Sequence, residues 1–336
     1  MKRRRASVVF ALACAFLTPA CRGDGSQAPA VLPTVAPPSE GPTVAPEPPL
    51  VPAAARKKPR AKKLELEVIT GSPEGFFANS TLLSGEKEAL LIDAQFTLAD
   101  ARKVAAAVAA SQRTLVTVYV THYHPDHYFG FPAIKEKFPK AKLVSLPQTV
   151  ELIKQTWEAK HKEWEPLYRD GITSKPIVPE PLSGQTLELE GNQLEIRGGR
   201  QGDSADNSYV WIPSLRTVIT GDLVYDGVFP WTAETTPAER TTWRATLDEL
   251  QKLGASAVVP GHQKPERTKL PSSITFTKEY LAAYDEALAL AKSSADLQRR
   301  IKARYPDTAL DVAVRISADK AFPSKPSKKK PSKPKP

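Results

Sequence analysis

His122-Tyr123-His124-Pro125-Asp126-His127 holds three of the chain's five histidines within six residues. It follows Leu115-Val116-Thr117-Val118-Tyr119-Val120, a β-branched run that reads as a buried strand. Imidazole nitrogens and a carboxylate on a tight turn at a strand end can converge on two cations at once. A surface loop that happens to be His-rich is the competing reading, and a fixed pattern of three histidines and one aspartate rarely arises by chance. Another histidine, His161, lies in Glu158-Ala159-Lys160-His161-Lys162-Glu163, which reads as a charged, solvated helical face.

On either side of this stretch, strand and helix signals recur. Leu64 to Ile69 alternates as a strand, and Asn79–Leu83 with Ala89–Asp93 form a hairpin around Gly85-Glu86-Lys87. A 3.6-residue apolar period predicts a helix from Thr97, its N-cap, to Ala110. Pro132 and Pro147 each suit a first helical position. Leu187–Ile196 gives two strands about Gly191-Asn192, and Tyr209–Ile212 and Thr217–Thr220 give two more. Pro237–Leu253 and Ile274–Lys292 read as helices, with a strand at Ala257–Val259 between them. Strands and helices in both halves define an α+β class.

Four short motifs then fall into order. They are Leu91-Ile92-Asp93, the histidine stretch, Thr217-Val218-Ile219-Thr220-Gly221-Asp222 and Val258-Val259-Pro260-Gly261-His262. In order and spacing they resemble the metallo-beta-lactamase superfamily, over roughly Leu66 to His262. The third motif of that family departs. Where a Gly-His pair is usual, this chain has Gly202-Asp203-Ser204-Ala205-Asp206-Asn207-Ser208, and no histidine lies between His161 and His262. Asp203 stands in the ligand place, with Asp206 as the alternative.

The resemblance implies a four-layer αββα sandwich and a site for two divalent metal ions. One ion would be held by His122, His124 and Asp203, the other by Asp126, His127 and His262, with Asp222 between them. Asp126 would also orient the nucleophile. Asp93 would either orient a ligand histidine or cap its turn. Three carboxylates and a bridging hydroxide would neutralise two divalent cations, so zinc is expected with iron or manganese tolerated. The implied reaction is hydrolysis of an ester, thioester, lactone or amide in a small-molecule substrate, by a hydroxide held between the metals. The core has no cysteine, whereas one lactamase branch carries a cysteine at the fourth motif; the chain therefore resembles more closely the glyoxalase II and lactonase branches. Phe76, Phe77, Tyr123, Tyr128, Phe129, Phe229 and Trp231 lie near the expected site loops and are candidates for an apolar pocket. Two other classes stay open. One is an iron-dependent oxidoreductase on the same fold, marked by iron and oxygen uptake. The other is an envelope-anchored metal-binding protein with a weakened or non-catalytic site, marked by metal without turnover. No G-x-S-x-G elbow or phosphate-binding glycine loop offers a rival chemistry.

The whole chain, 336 residues at +10, looks basic enough for nucleic acid or membrane. The excess sits at the ends: residues 1–63 carry +8 and residues 319–336 carry +6, which leaves residues 64–318 at −4. No nucleic-acid partner is expected for an acidic core. Lys2-Arg3-Arg4-Arg5, the apolar run Ala6–Leu17 and Thr18-Pro19-Ala20 before Cys21 read as an export signal over residues 1–21. A cysteine at the cleavage point resembles a bacterial lipobox. It implies a lipid anchor at Cys21 on an outer-membrane lipoprotein facing the periplasm or the cell surface. Ordinary cleavage to a soluble periplasmic protein is the alternative. Residues 22–63, with ten prolines between Pro29 and Pro59, read as a disordered basic tether, and 319–336 as a disordered Lys/Pro tail. These ends serve solubility and reach, or touch anionic headgroups. The two cysteines, Cys14 and Cys21, both lie in the signal segment, so residues 64–318 hold no disulfide and no thiolate ligand.

Overall fold

The alternation read at the start of the core continues into a strand, β1 (Glu65–Thr70), followed by the hairpin β2 (Asn79–Ser84) and β3 (Glu88–Ile92). The computed structural model of the protein describes residues 62–267 and 269–323. The expected signal segment 1–21, all but the last two residues of the tether 22–63, and residues 324–336 of the tail lie outside the described residues.

Helix α1 (Leu98–Ala110) starts where Thr97 accepts the Asp100 amide at 3.1 Å, the cap expected from sequence. β4 (Thr114–Tyr119), α2 (Phe131–Lys137), β5 (Lys142–Ser145), α3 (Pro147–Tyr168) and β6 (Glu180–Pro181) complete the first half. β1 to β6 form one sheet in sequence order, antiparallel as far as β3 and parallel from there on. The second half contains β7 (Thr186–Leu189), β8 (Asn192–Arg200), β9 (Asn207–Ile212), β10 (Thr217–Ile219), β11 (Tyr225–Asp226), α4 (Pro237–Lys252), β12 (Ala257–Val259) and β13 (His262–Gln263). Its main sheet has the order β12-β10-β9-β8-β7, and β11 pairs with β13 in parallel as a separate ribbon. Helices α5 (Ser272–Leu290), α6 (Ser294–Arg304) and α7 (Asp311–Ala321) follow.

Side-chain alternation sorts the core into layers. Leu83, Leu90, Ile92 and Tyr119 of the first sheet pack with Leu194, Ile196, Val210, Ile219 and Val259 of the second. The opposite faces do the reverse: Leu82, Leu91 and Val118 bury against Val104, Val108 and Ile153 of α1 and α3. Tyr209, Val218 and Val258 bury against Trp243, Leu247, Tyr280 and Leu281 of α4 and α5. The result is the expected αββα sandwich, α+β in class.

Six elements were not anticipated: β5, β6, β11, β13, α6 and α7. α7 runs to Ala321, beyond the boundary read at 318, because Val314, Ser317 and Ala318 form one buried face. The segment just before α7 is stitched to the loop after β11. Ala309 donates to the Gly227 carbonyl at 2.9 Å and accepts from the Phe229 amide at 2.9 Å. Among the described residues, no helix is long and apolar enough to cross a membrane.

Candidate metal centre

The parallel strands decide where the site sits. β3 and β4 run the same way, as do β10 and β12. Asp93 follows β3, His122 follows β4, Asp222 follows β10 and His262 follows β12, so their side chains emerge at strand ends that share one edge of each sheet. Asp203 joins them from the turn between β8 and β9.

Seven of the residues singled out from sequence meet in two groups that share one member. His122, His124, Asp203 and Asp222 form the first, and Asp126, His127, Asp222 and His262 the second; within each group the candidate ligand atoms lie within 4.8 Å of one another. In the first, His122 Nε2 is 3.8 Å from Asp222 Oδ2 and His124 Nδ1 is 2.8 Å from Asp203 Oδ2. In the second, Asp222 Oδ1 is 3.1 Å from His127 Nε2, and Asp222 Oδ2 is 3.1 Å from His262 Nε2. Asp126 Oδ2 is 3.3 Å from His262 Nε2. Donors about 2.1 Å from one cation stand roughly 3–4 Å apart, so these spacings suit an ion in each group.

Hydrogen bonding tests the fit further. Nε2 of His122, Nε2 of His127 and Oδ1 of Asp222 are buried without a hydrogen-bond partner. Orphaned buried polar atoms are costly. His127 Nε2 approaches Asp222 Oδ1 without the alignment of a hydrogen bond, which is how two donors stand when both point at a third atom. The residues fit metal ions.

In the absence of cations, protons offset the carboxylates. Burial pushes the His262 imidazole down, but the Asp222 carboxylate more than reverses this, to about 10. Burial likewise lowers His124, and Asp203 carries it up to about 10. Burial and the neighbouring His127 hold His122 well below the ordinary histidine value. A metal that enters such a cluster displaces protons.

Two glycines show why the motifs read Gly-Asp and Gly-His. A Cβ on Gly261 would stand 2.0 Å from Asp222 Oδ1. One on Gly221, whose φ is +49°, would stand 2.7 Å from Thr121 Oγ1. Asp93 serves both readings offered for it. It sits at φ 59°, a strained conformation for a non-glycine residue, and takes the Thr121 amide and hydroxyl, each at 2.8 Å. Its Oδ2 is also 2.8 Å from His127 Nδ1. His262 Nδ1 is held by the Phe76 carbonyl at 2.8 Å. Phe76 and Phe77 both lie in the left-handed region, φ 61° and 57°, at about 1–2 kcal/mol each.

Asp206 stays outside both groups, half-buried, while Asp203 is fully buried. His161 also stays out and packs near the Phe129 ring. Of the seven aromatics offered as pocket lining, Phe76 and Trp231 line the cavity above the ligands. Tyr128, Phe129 and Phe229 are core residues, Phe77 packs on the second helical layer, and Tyr123 lies edge-on to the His124 ring. Several lining residues carried no sequence signal. Tyr225 stacks on His262 through the β11–β13 pair and donates to Asp222 Oδ2 at 2.7 Å. Trp164, Lys160, Glu234, Leu310 and Val312 complete the cavity wall. The stretch read as a solvated helical face thus turns Lys160 inward, to an ion pair with Glu234.

The sequence profile of the metallo-beta-lactamase superfamily matches residues 73–262, and the chain belongs to that superfamily. A metallo-beta-lactamase type 2 from Bacteroides fragilis is 24% identical over 213 residues, 62% of this chain and 77% of the relative. Another, from Bacillus sp. (strain 170), is 24% identical over 190 residues, 56% of this chain and 67% of the relative. Among solved structures, a metallo-beta-lactamase family protein from Thermus thermophilus superposes with a TM-score of 0.55 at 19% identity, covering 76% of this chain and 92% of that one. Membership makes the chain a hydrolase of a metal-dependent superfamily, with candidate metal-ligand groups of its own.

Proposed function

We propose that the protein is a dinuclear metallo-hydrolase acting on an ester, thioester, lactone or amide bond of a small molecule. The observation that carries this reading is the sharing of Asp222 by two ligand groups, each with a buried inward nitrogen, His122 Nε2 in one and His127 Nε2 in the other, that has no hydrogen-bond partner. His122, His124 and Asp203 would hold one ion and Asp126, His127 and His262 the other, with zinc the first expectation and iron or manganese tolerated. Bound there, the ions would lower the pKa of a water between them and polarise the scissile group.

The chain's own residues divide the remaining work. Asp126 lines the cavity and is the more exposed ligand carboxylate, with 12% of its side chain accessible against 2% for Asp222. It can hold and orient the attacking water and take its proton. Tyr225 fixes Asp222 through its hydroxyl and lies 3.4 Å from Asp203, so it braces the two carboxylates against each other. Phe76, Trp164, Trp231 and Leu310 exclude water from the reacting bond and favour a substrate with an apolar portion.

Metal analysis of the full-length protein, then a panel of lactones, thioesters, β-lactams and phosphodiesters, tests this. β-Lactams belong in the panel because the curated relatives are named for them. About two zinc ions per chain and turnover that a chelator abolishes and zinc restores are expected. A purified chain without tightly bound metal, or one that holds metal and turns over no substrate, sinks the reading.

We further propose that the enzyme is exported and held at the outer membrane through a lipid on Cys21, with 22–63 as tether, the catalytic domain starting at about residue 64, and a free basic tail. Cys21→Ser should move it from the membrane fraction to the soluble periplasmic fraction.

A further inference from the structure

Three of the four cluster histidines have their outward nitrogen fastened. His127 Nδ1 is 2.8 Å from Asp93, His262 Nδ1 is 2.8 Å from the Phe76 carbonyl, and His122 Nδ1 is 3.0 Å from the Thr121 hydroxyl. His124 differs. Its Nδ1 faces Asp203, so Nε2 is the outward atom. That nitrogen is buried and has no hydrogen-bond partner. The carboxylate near it is Glu234, whose Oε2 is 3.5 Å away, too far for a strong bond.

Glu234 is held back by something specific. Its Oε1 is 2.5 Å from Lys160 Nζ. The ammonium, on a side chain only 15% exposed, also lies 5.9 Å from the centre of the Tyr123 ring. Lys160 comes from α3 and Glu234 from the segment before α4, and both line the cavity. One carboxylate is therefore shared between an ammonium and the imidazole of a candidate ligand.

We propose that Glu234 is a positioning residue for His124, and that Lys160 tunes it by competing for the same carboxylate. When Glu234 accepts the Nε2–H, it fixes the tautomer whose Nδ1 lone pair points at the ion held with His122 and Asp203. Lys160 draws the carboxylate away and loosens that grip. This inference rests on the metal reading above. An outer carboxylate of this kind is worth about 10–100-fold in metal affinity.

The two partners should act with opposite sign. In the full-length protein, titrated with zinc against a chromophoric chelator, Glu234→Gln should weaken one of two ions by about 10–100-fold and leave the other unchanged. Lys160→Met should tighten that same ion several-fold, and Glu234→Asp should recover part of the loss. In the cobalt(II)-loaded protein, the absorption bands of one site should shift in Glu234→Gln while those of the other hold. A merely structural ion pair would give losses of thermal stability in both variants and no change in either metal affinity. That result, or both variants weakening the same ion, overturns the proposal while the metal reading stands. A wild-type chain that holds no ion overturns both.

Discussion

The two halves of the centre are supported differently. Asp126, His127 and His262 rest on fixed partners: Asp93 at a strained strand end, the Phe76 carbonyl, and the Tyr225 ring stacked 5.2 Å from His262 at an interplanar angle of 4°. His122, His124 and Asp203 include an aspartate from the turn between β8 and β9, and an imidazole whose outer nitrogen faces a carboxylate already paired with a lysine. Asp203 comes from that turn, whereas Asp93 directly follows β3 and His262 opens β13, paired there with Tyr225 of β11. The outer nitrogens of His127 and His262 are both hydrogen-bonded, whereas that of His124 is not. Metal affinity should divide the same way, with the first ion lost on chelation coming from the His124 half.

Substitutions can break or sharpen that contrast. The largest effect belongs to Asp222, the member common to both halves: Asp222→Asn should remove both ions and lower kcat/KM on the order of 1,000-fold, read by metal analysis beside kinetics. Asp203→Asn should cost one ion and spare the other, while Asp206→Asn, outside both groups, should leave two; equal losses from both variants would show that the third motif has been misassigned. Asp93→Asn, which changes the direct partner of His127 and reaches His122 only through Thr121, should weaken the His127 ion by about 10–100-fold and the other ion less, read by competitive zinc titration. The smallest effect lies in the cavity wall. Leu310→Ala should raise KM for substrates with long apolar groups by about tenfold, the scale of a few methylenes lost from an apolar pocket, with kcat and metal content unchanged.

Much of this was legible before any coordinates. Period-two alternation located β1, a hairpin signal β2 and β3, a β-branched run β4, and a 3.6-residue period α1, with α4 and α5 also read as helices; β2 and β3 are buried on both faces, between α1 and the second sheet. The histidine stretch and the Gly-Asp and Gly-His motifs were readable because ligands that follow strands sit at fixed places in the chain. β5 escaped because Lys142-Leu143-Val144-Ser145 is too short to show a period. α6 and α7 escaped because their faces are mixed, with charged residues interleaved among the few buried ones. Tyr225, Lys160 and Glu234 escaped for a different reason. Each meets the site through tertiary packing between distant segments, and nothing local to a tyrosine or a charged helix marks that meeting.

The far wall of the cavity comes from a different part of the chain than the ligands. The candidate ligands all lie at or before His262, and Leu310, Val312 and Ala313 reach the cavity from well past it. They are anchored by a pair of backbone bonds at Ala309, which any residue but proline could maintain there. Part of the cavity wall is therefore built by a length of polypeptide that supplies none of the candidate ligands. A substitution at Leu310 or Val312 can reshape the entrance and leave every ligand-bearing strand end as it is.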